Sequence, residues 1–228
     1  MKLFKVNEIR QSVYHFKFAD QYSLTSTFMR IQEHYESPYR GIHEKHFTHE
    51  EFMNKYFTKT GDMSYFTDFV GFNIPSYSIR KFIKMYQYKH LWDKEIELIL
   101  AIKELPEYRQ RKKFYIIATF DQDDTETLNH EIAHSYWHLH DEYKKSMKAQ
   151  LNLIPVKLRK KIKESLKKEK YCASVLDDEI HAYASTATKK YFRESEHFEG
   201  FIKVNLKPFR SIFKKMDRKY TNEMEKIS

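Results

Sequence analysis

Glycine, proline and cysteine are all scarce in this chain: its 228 residues include 4 Gly, 5 Pro and 1 Cys. So few turn formers exclude collagen-like and low-complexity classes. They also weigh against a many-stranded sandwich or barrel, whose tight connections need them. A single thiol excludes an internal disulfide framework and a cysteine-built zinc finger. Long apolar runs are missing too. The longest surrounds Ile99–Ile102, far short of the roughly 20 residues of a membrane-spanning helix. The opening segment MKLFKVNEIRQS is charged and lacks the apolar stretch of about 7–15 residues that marks a signal peptide. A soluble, cytoplasmic protein with no membrane partner is expected.

Aromatic and basic residues are plentiful. The chain has 17 Tyr and 18 Phe, and Lys+Arg (41) exceeds Asp+Glu (32) by 9. A basic balance admits nucleic-acid or anionic-surface binding. The lysines are scattered, however, except in PVKLRKKIKESLKKEK, residues 155–170. No aromatic side chain is interleaved in that run, as single-strand binding would require. A nucleic-acid partner is therefore admitted but not favoured, and no pattern specifies an oligomeric state.

Several segments read as helices. Leu24–Glu36 stops at Ser37-Pro38, where the proline disfavours continuation. Thr48 with Glu51 forms a capping box ahead of Phe52, Met53, Tyr56 and Phe57, and Gly61 is a natural stop. Ser78–Tyr86 and Asp93–Leu105 repeat apolar residues at helical spacing. Lys113–Phe120 reads as a strand, and Ser64–Asn73 as a strand or an ordered loop. Asp123–Met147 is the strongest helix, with Asp123 and Glu126 as its capping signature and a stripe of Leu128, Ile132, Tyr136, Leu139 and Tyr143. Leu176–Phe192 and Pro208–Lys219 are expected to close the chain as helices.

Inside the strongest helix lies His130-Glu131-Ile132-Ala133-His134, an H-E-x-x-H pattern. Residues i and i+4 share a helix face, so two imidazoles at this spacing can grip one zinc ion. Glu131 is rotated about 100° from His130. It flanks the ion and can take a proton from the attacking water. A shuffled chain of this composition contains the pentapeptide roughly 6% of the time, so the helical context carries the reading. Leu128 lies about 200° from His130, which sets a core face opposite a histidine face.

Zinc needs a third protein ligand, and the residues leave two readings. His140 completes the spacing H-E-x-x-H-x-x-G-x-x-H, but that geometry needs a helix break at a glycine, and this position is Trp137. Alternatively, Glu179 supplies a carboxylate from DDEIHAYA, 45 residues beyond His134. Asp178 is a substitute there, or holds a histidine N–H from behind.

LNHEIAH followed by DEIHAYA resembles the gluzincin zinc metallopeptidases, in which a second helix donates a glutamate. The resemblance covers residues 113–192. It implies His130, His134 and Glu179 as zinc ligands and Glu131 as general base. It also implies a mostly helical α+β, zincin-like fold with a small sheet beside the active-site helix. Many members carry an aspartate four residues after the ligand glutamate, where this chain has Tyr183. Tyr183 shares the Glu179 face and is a candidate oxyanion donor, as is His181, for which exposure is the simpler reading.

Residues 1–85 are expected as a mainly helical segment walling the cleft, and residues 86–228 as the zincin-like catalytic core. The expected function is a zinc-dependent hydrolase acting on a peptide or protein substrate. The rival reading is a basic, non-enzymatic nucleic-acid or partner-binding protein with a structural or chance metal site. His43, His46 and His49 form a second cluster, read as a loop and helix start, and Cys172 reads as a packing residue.

Overall fold

A computed structural model describes residues 2–39, 41–42, 45–120, 125–169, 171–195 and 198–225. The fold is α+β, mostly helical with a small mixed sheet. The chain divides into two compact units, Met1–Asp123 and Asp124–Ser228. The segments expected from the sequence, 1–85 and 86–228, divide elsewhere, inside the helix Ser76–Tyr86.

The first unit holds strands β1 (Phe4–Arg10), β2 (Val13–Phe18), β3 (Gly71–Pro75) and β4 (Tyr115–Phe120). Its helices are α1 (Gln21–Glu36), α2 (His49–Thr60), α3 (Tyr65–Asp68), α4 (Ser76–Tyr86), α5 (Asp93–Glu104) and α6 (Pro106–Arg109). The sheet order is β1-β2-β4-β3, with β2 and β4 parallel and the other neighbours antiparallel. The expected strand at 113–120 is β4, while 64–73 splits into the short α3 and the start of β3. The hairpin of β1 and β2 has no counterpart among the expected elements. It turns at Ser12, whose φ is 61°.

Local chemistry explains most of the ends. The Asp20 carboxylate accepts from the Ser23 amide at 2.7 Å and starts α1. Thr48 and Glu51 cap α2 reciprocally, and Gly61, at φ 76°, closes it in the left-handed region. One apolar face of the sheet packs Phe16, Phe18, Ile74 and Ile116 against Phe28 of α1, Phe82 of α4 and Ile99 of α5. Burying each such side chain contributes about 1.5–3 kcal/mol.

A charged staple crosses this unit. Arg30 and Glu95, both wholly buried, form a two-pronged ion pair, with Arg30 Nε donating to Glu95 Oε1 at 2.8 Å. The same guanidinium donates to the carbonyls of Phe47 and His90, so one side chain ties α1, α5 and two loops. His49 stacks on Trp92 beside it, with ring centroids 3.4 Å apart, and His46 packs on Tyr86. This second histidine cluster is structural as far as the described residues go; His43 lies outside them.

The second unit holds α7 (Thr125–Leu139), α8 (Asp141–Leu153), α9 (Val156–Lys168), α10 (Leu176–Thr186), α11 (Lys189–Glu194), α12 (Glu199–Ile202) and α13 (Lys207–Glu225). The expected helix 123–147 breaks at His140, whose extended backbone (φ −124°, ψ 102°) starts α8. The capping role given to Asp123 lies outside the described residues. The expected helix 176–192 also breaks: Thr188 accepts from the Tyr191 amide and starts α11. α7 and α10 pack side by side, with α8, α9 and α13 around α10.

Glu95→Ala should cost about 3–5 kcal/mol, because it strands the buried Arg30 guanidinium. Glu104→Ala removes an exposed pair with Arg109 and should cost under about 1 kcal/mol. Urea denaturation of the two variants checks the contrast.

Glu33 supplies a pH test. It is buried, accepts from the Tyr65 hydroxyl at 2.9 Å, and burial pushes its carboxyl from 4.5 up to about 7. Between those values the unfolded chain loses a proton that the folded chain keeps. Stability contributed by this group is thus lost as pH rises through the window, by about 3 kcal/mol. Glu33→Gln should flatten that part of the stability–pH curve measured by urea denaturation.

Candidate metal centre

The H-E-x-x-H pattern and the acid-rich segment both fall in the second unit, on α7 and α10. The second half of α7 is enclosed: Ile132, Ala133, Ser135, Tyr136 and Trp137 are buried, and His134 is 2% exposed. The opposed core and histidine faces expected from the sequence are therefore not what the helix presents. α10 packs along α7 and covers His134, while His130 stays half-buried.

The helical spacing brings the two imidazoles together, with His130 Nε2 and His134 Nε2 3.1 Å apart. Glu179, buried on α10, puts Oε2 3.6 Å from His130 Nε2 and Oε1 3.5 Å from His134 Nε2. Among the described residues this trio is the one group of three or more His, Cys, Asp or Glu side chains able to hold a metal.

The trio fits a tetrahedral divalent ion on two counts. Ligand bonds of about 2.0–2.1 Å hold ligand atoms about 3.3 Å apart; here the two nitrogens are 3.1 Å apart, each lies 3.5–3.6 Å from a different oxygen of Glu179, and one ligand atom from each of the three residues falls within 4.8 Å of the others. Further, Glu179 Oε2 is buried with no hydrogen-bond partner among the described residues. A buried carboxylate oxygen in that position calls for a cation. Two imidazoles and one carboxylate form the donor set of zinc sites that leave a fourth position open.

Asp178 orients the ring behind this trio. His134 Nδ1 donates to Asp178 Oδ1 at 2.8 Å, which leaves Nε2 with its lone pair toward Glu179. The other oxygen, Oδ2, accepts from His138 Nε2 at 3.0 Å. Burial alone would push the Asp178 carboxyl up. The charge on His134 and hydrogen bonds from His134, His138 and His181 outweigh it and hold the group well below the usual range. Burial likewise pulls His134 down, but Asp178, then Glu179 and Glu131, overcome it and hold the imidazole well above its ordinary value. The carboxylates thus call for positive charge between α7 and α10, and a metal ion bound there would compete with a proton on His134 to supply it.

The remaining candidates take different places. His181, read from the sequence as exposed or oxyanion-facing, is wholly buried. Its Nδ1 lies 2.5 Å from the Asp178 carbonyl and its Nε2 3.2 Å from the Ala133 carbonyl, with the ring stacked on Trp137. It pegs α10 to α7. Tyr183 lays its ring on His130, centroids 4.5 Å apart, and its hydroxyl shares a 2.9 Å hydrogen bond with Tyr171. Burial pushes both phenols up, so both keep their protons. Glu131 is half-buried on α7 beside His130. His140 lies apart from the trio, stacked on Tyr220 of α13.

Sequence reasoning missed Tyr171, which sits in a loop with no periodicity to mark it. It also gave His138 no part in orienting His134. The available signal was the i,i+4 step from His134 to His138, which lets one carboxylate reach both rings.

No family model, no curated protein and no solved structure matches the chain.

Asp178→Asn keeps the shape but removes the charge that orients His134. It should weaken zinc binding about 10–100-fold, measured by competition with a chromophoric chelator. Unchanged affinity would mean that Asp178 does not support the ligand ring.

Proposed function

We propose that the chain is a zinc-dependent hydrolase, most simply a metallopeptidase of gluzincin type with a zincin-like catalytic core. The observation that carries this reading is the Glu179 carboxylate. It comes from a separate helix, 45 residues beyond His134, and lies 3.5–3.6 Å from both imidazole nitrogens of an H-E-x-x-H helix. His130, His134 and Glu179 would hold the ion. Bound zinc supplies Lewis acidity toward a carbonyl oxygen and lowers the pKa of a water to about 7.

The chain's own residues do the rest. Glu131 accepts a proton from the attacking water and passes it to the leaving amine, so that nitrogen departs neutral. Asp178 keeps His134 in the tautomer that can ligate. Tyr183, protonated and with its ring against His130, is the candidate donor to the developing oxyanion. His181 has no part in this scheme, because it is wholly buried, with its ring stacked on Trp137 and its nitrogens turned to Asp178 and to the Ala133 carbonyl. A peptide or protein substrate suits this chemistry.

Elemental analysis of the purified chain should find about one zinc per molecule, lost in His134→Ala. Glu131→Gln should retain the zinc while hydrolysis of a quenched-fluorescence peptide library falls at least about 100-fold. Loss of zinc from Glu131→Gln, or undiminished hydrolysis, would overturn the assigned role. Zinc bound with no hydrolysis by the wild-type chain would make the site structural.

A further inference from the structure

The outer face of α9 carries a dense run of lysines. Ile162 and Leu166 face inward and are buried, and α12 comes so close that a Cβ on Gly200 would meet Ile162 Cγ1 at 2.8 Å. That contact pins one side of the helix. The flanking cations are already matched: Arg159 and Lys163 each lie 2.8 Å from a carboxylate oxygen of Asp177. The outward side keeps Lys157, Lys160, Lys161, Lys167 and Lys168, all exposed, against Glu164 within the helix.

An apolar tip adjoins this cationic face. Leu153 ends α8 and Val156 starts α9, and at 76% and 84% exposure they are the most exposed large hydrophobic side chains among the described residues. Val156 and Lys160 are one helical turn apart on the same face. A cleft of about 240 Å³ opens beside Leu153, walled by Ile154, Pro155, Val204 and Pro208, with Lys203 at its rim.

We propose that this corner docks on an anionic phospholipid surface, with Leu153 and Val156 entering the headgroup layer and the α9 lysines lying over the phosphates. Aliphatic side chains bounded by lysines suit that occupant, because lysine stems lie along apolar surface while their ammonium groups reach outward. A single-stranded nucleic acid would instead call for aromatic stacking platforms, which this face lacks among the described residues. This is surface docking, since no helix of the described residues is long and apolar enough to cross a membrane.

Co-sedimentation of the full chain with vesicles tests the proposal. Phosphatidylcholine vesicles carrying about 30% phosphatidylserine should retain the protein, and pure phosphatidylcholine should not. Retention should fall steeply in about 0.5 M NaCl. Two variants separate the contributions: Leu153→Ser with Val156→Ser, and Lys157→Glu with Lys160→Glu and Lys161→Glu. Each should weaken retention at least about tenfold with unchanged circular dichroism. No retention on the anionic vesicles overturns the proposal. So does retention that the serine pair leaves unchanged, or binding to a single-stranded RNA oligonucleotide without binding to vesicles.

Discussion

The contact between α7 and α10 is held by a balance of charge. Asp178 and Glu179 are buried side by side on α10 and face His130, His134 and His138 on α7. Buried carboxylates are tolerated only with counter-charge and hydrogen bonds. Asp178 receives both from His134 and His138. Among the described residues Glu179 has no such donor on Oε2, and its two oxygens lie 3.5–3.6 Å from one ring nitrogen each. That distance is long for a hydrogen bond. The packing of the two helices and the composition of the candidate centre are therefore one problem. What stabilises the interface is also what organises the ligands.

The geometry depends on small residues and on one buried ring. Ala133 on α7 and Ala182 and Ala184 on α10 are wholly buried, which lets the helices approach. His181 fills the remaining space between the Ala133 carbonyl and the Trp137 ring. Tyr183, one turn beyond Glu179, closes the other side of His130 through ring contact.

Much of this was legible in the sequence because it is local. The i,i+4 histidines, the capping box at Thr48 and Glu51 and the stop at Gly61 each express a rule that acts within a turn or two of chain. The acid-rich start of α10 was also visible as a candidate third ligand, and the structure places Glu179, not His140, beside the histidines. The break at His140 was not legible, since neither glycine nor proline marks it; tertiary contacts to α13 through Tyr220 accompany it. The β1–β2 hairpin was missed for two reasons. β1 is largely exposed and shows no clean alternation, whereas Tyr14, Phe16 and Phe18 alternate with His15 and Lys17, a period-two signal that was overlooked. The burial of His181 could not be read at all, because it depends on which face of α10 meets α7.

Three consecutive acids at the start of α10 would each be favoured by the helix dipole wherever their side chains pointed. The dipole therefore does not explain why they have three separate destinations. A helix turns about 100° per residue, so neighbours must face different partners. Asp177 reaches back to Arg159 and Lys163 of α9, Asp178 to His134 and His138, and Glu179 to the gap between His130 and His134. The Asp177 clip is partly exposed and so contributes little stability by itself. Its effect is on register: it fixes the rotation of the first turn of α10, and with it the direction of the next two carboxylates. The basic helix α9 is in this way joined through Asp177 to the candidate centre, and a rotation of α10 that freed Asp177 would also withdraw Glu179 from the imidazoles.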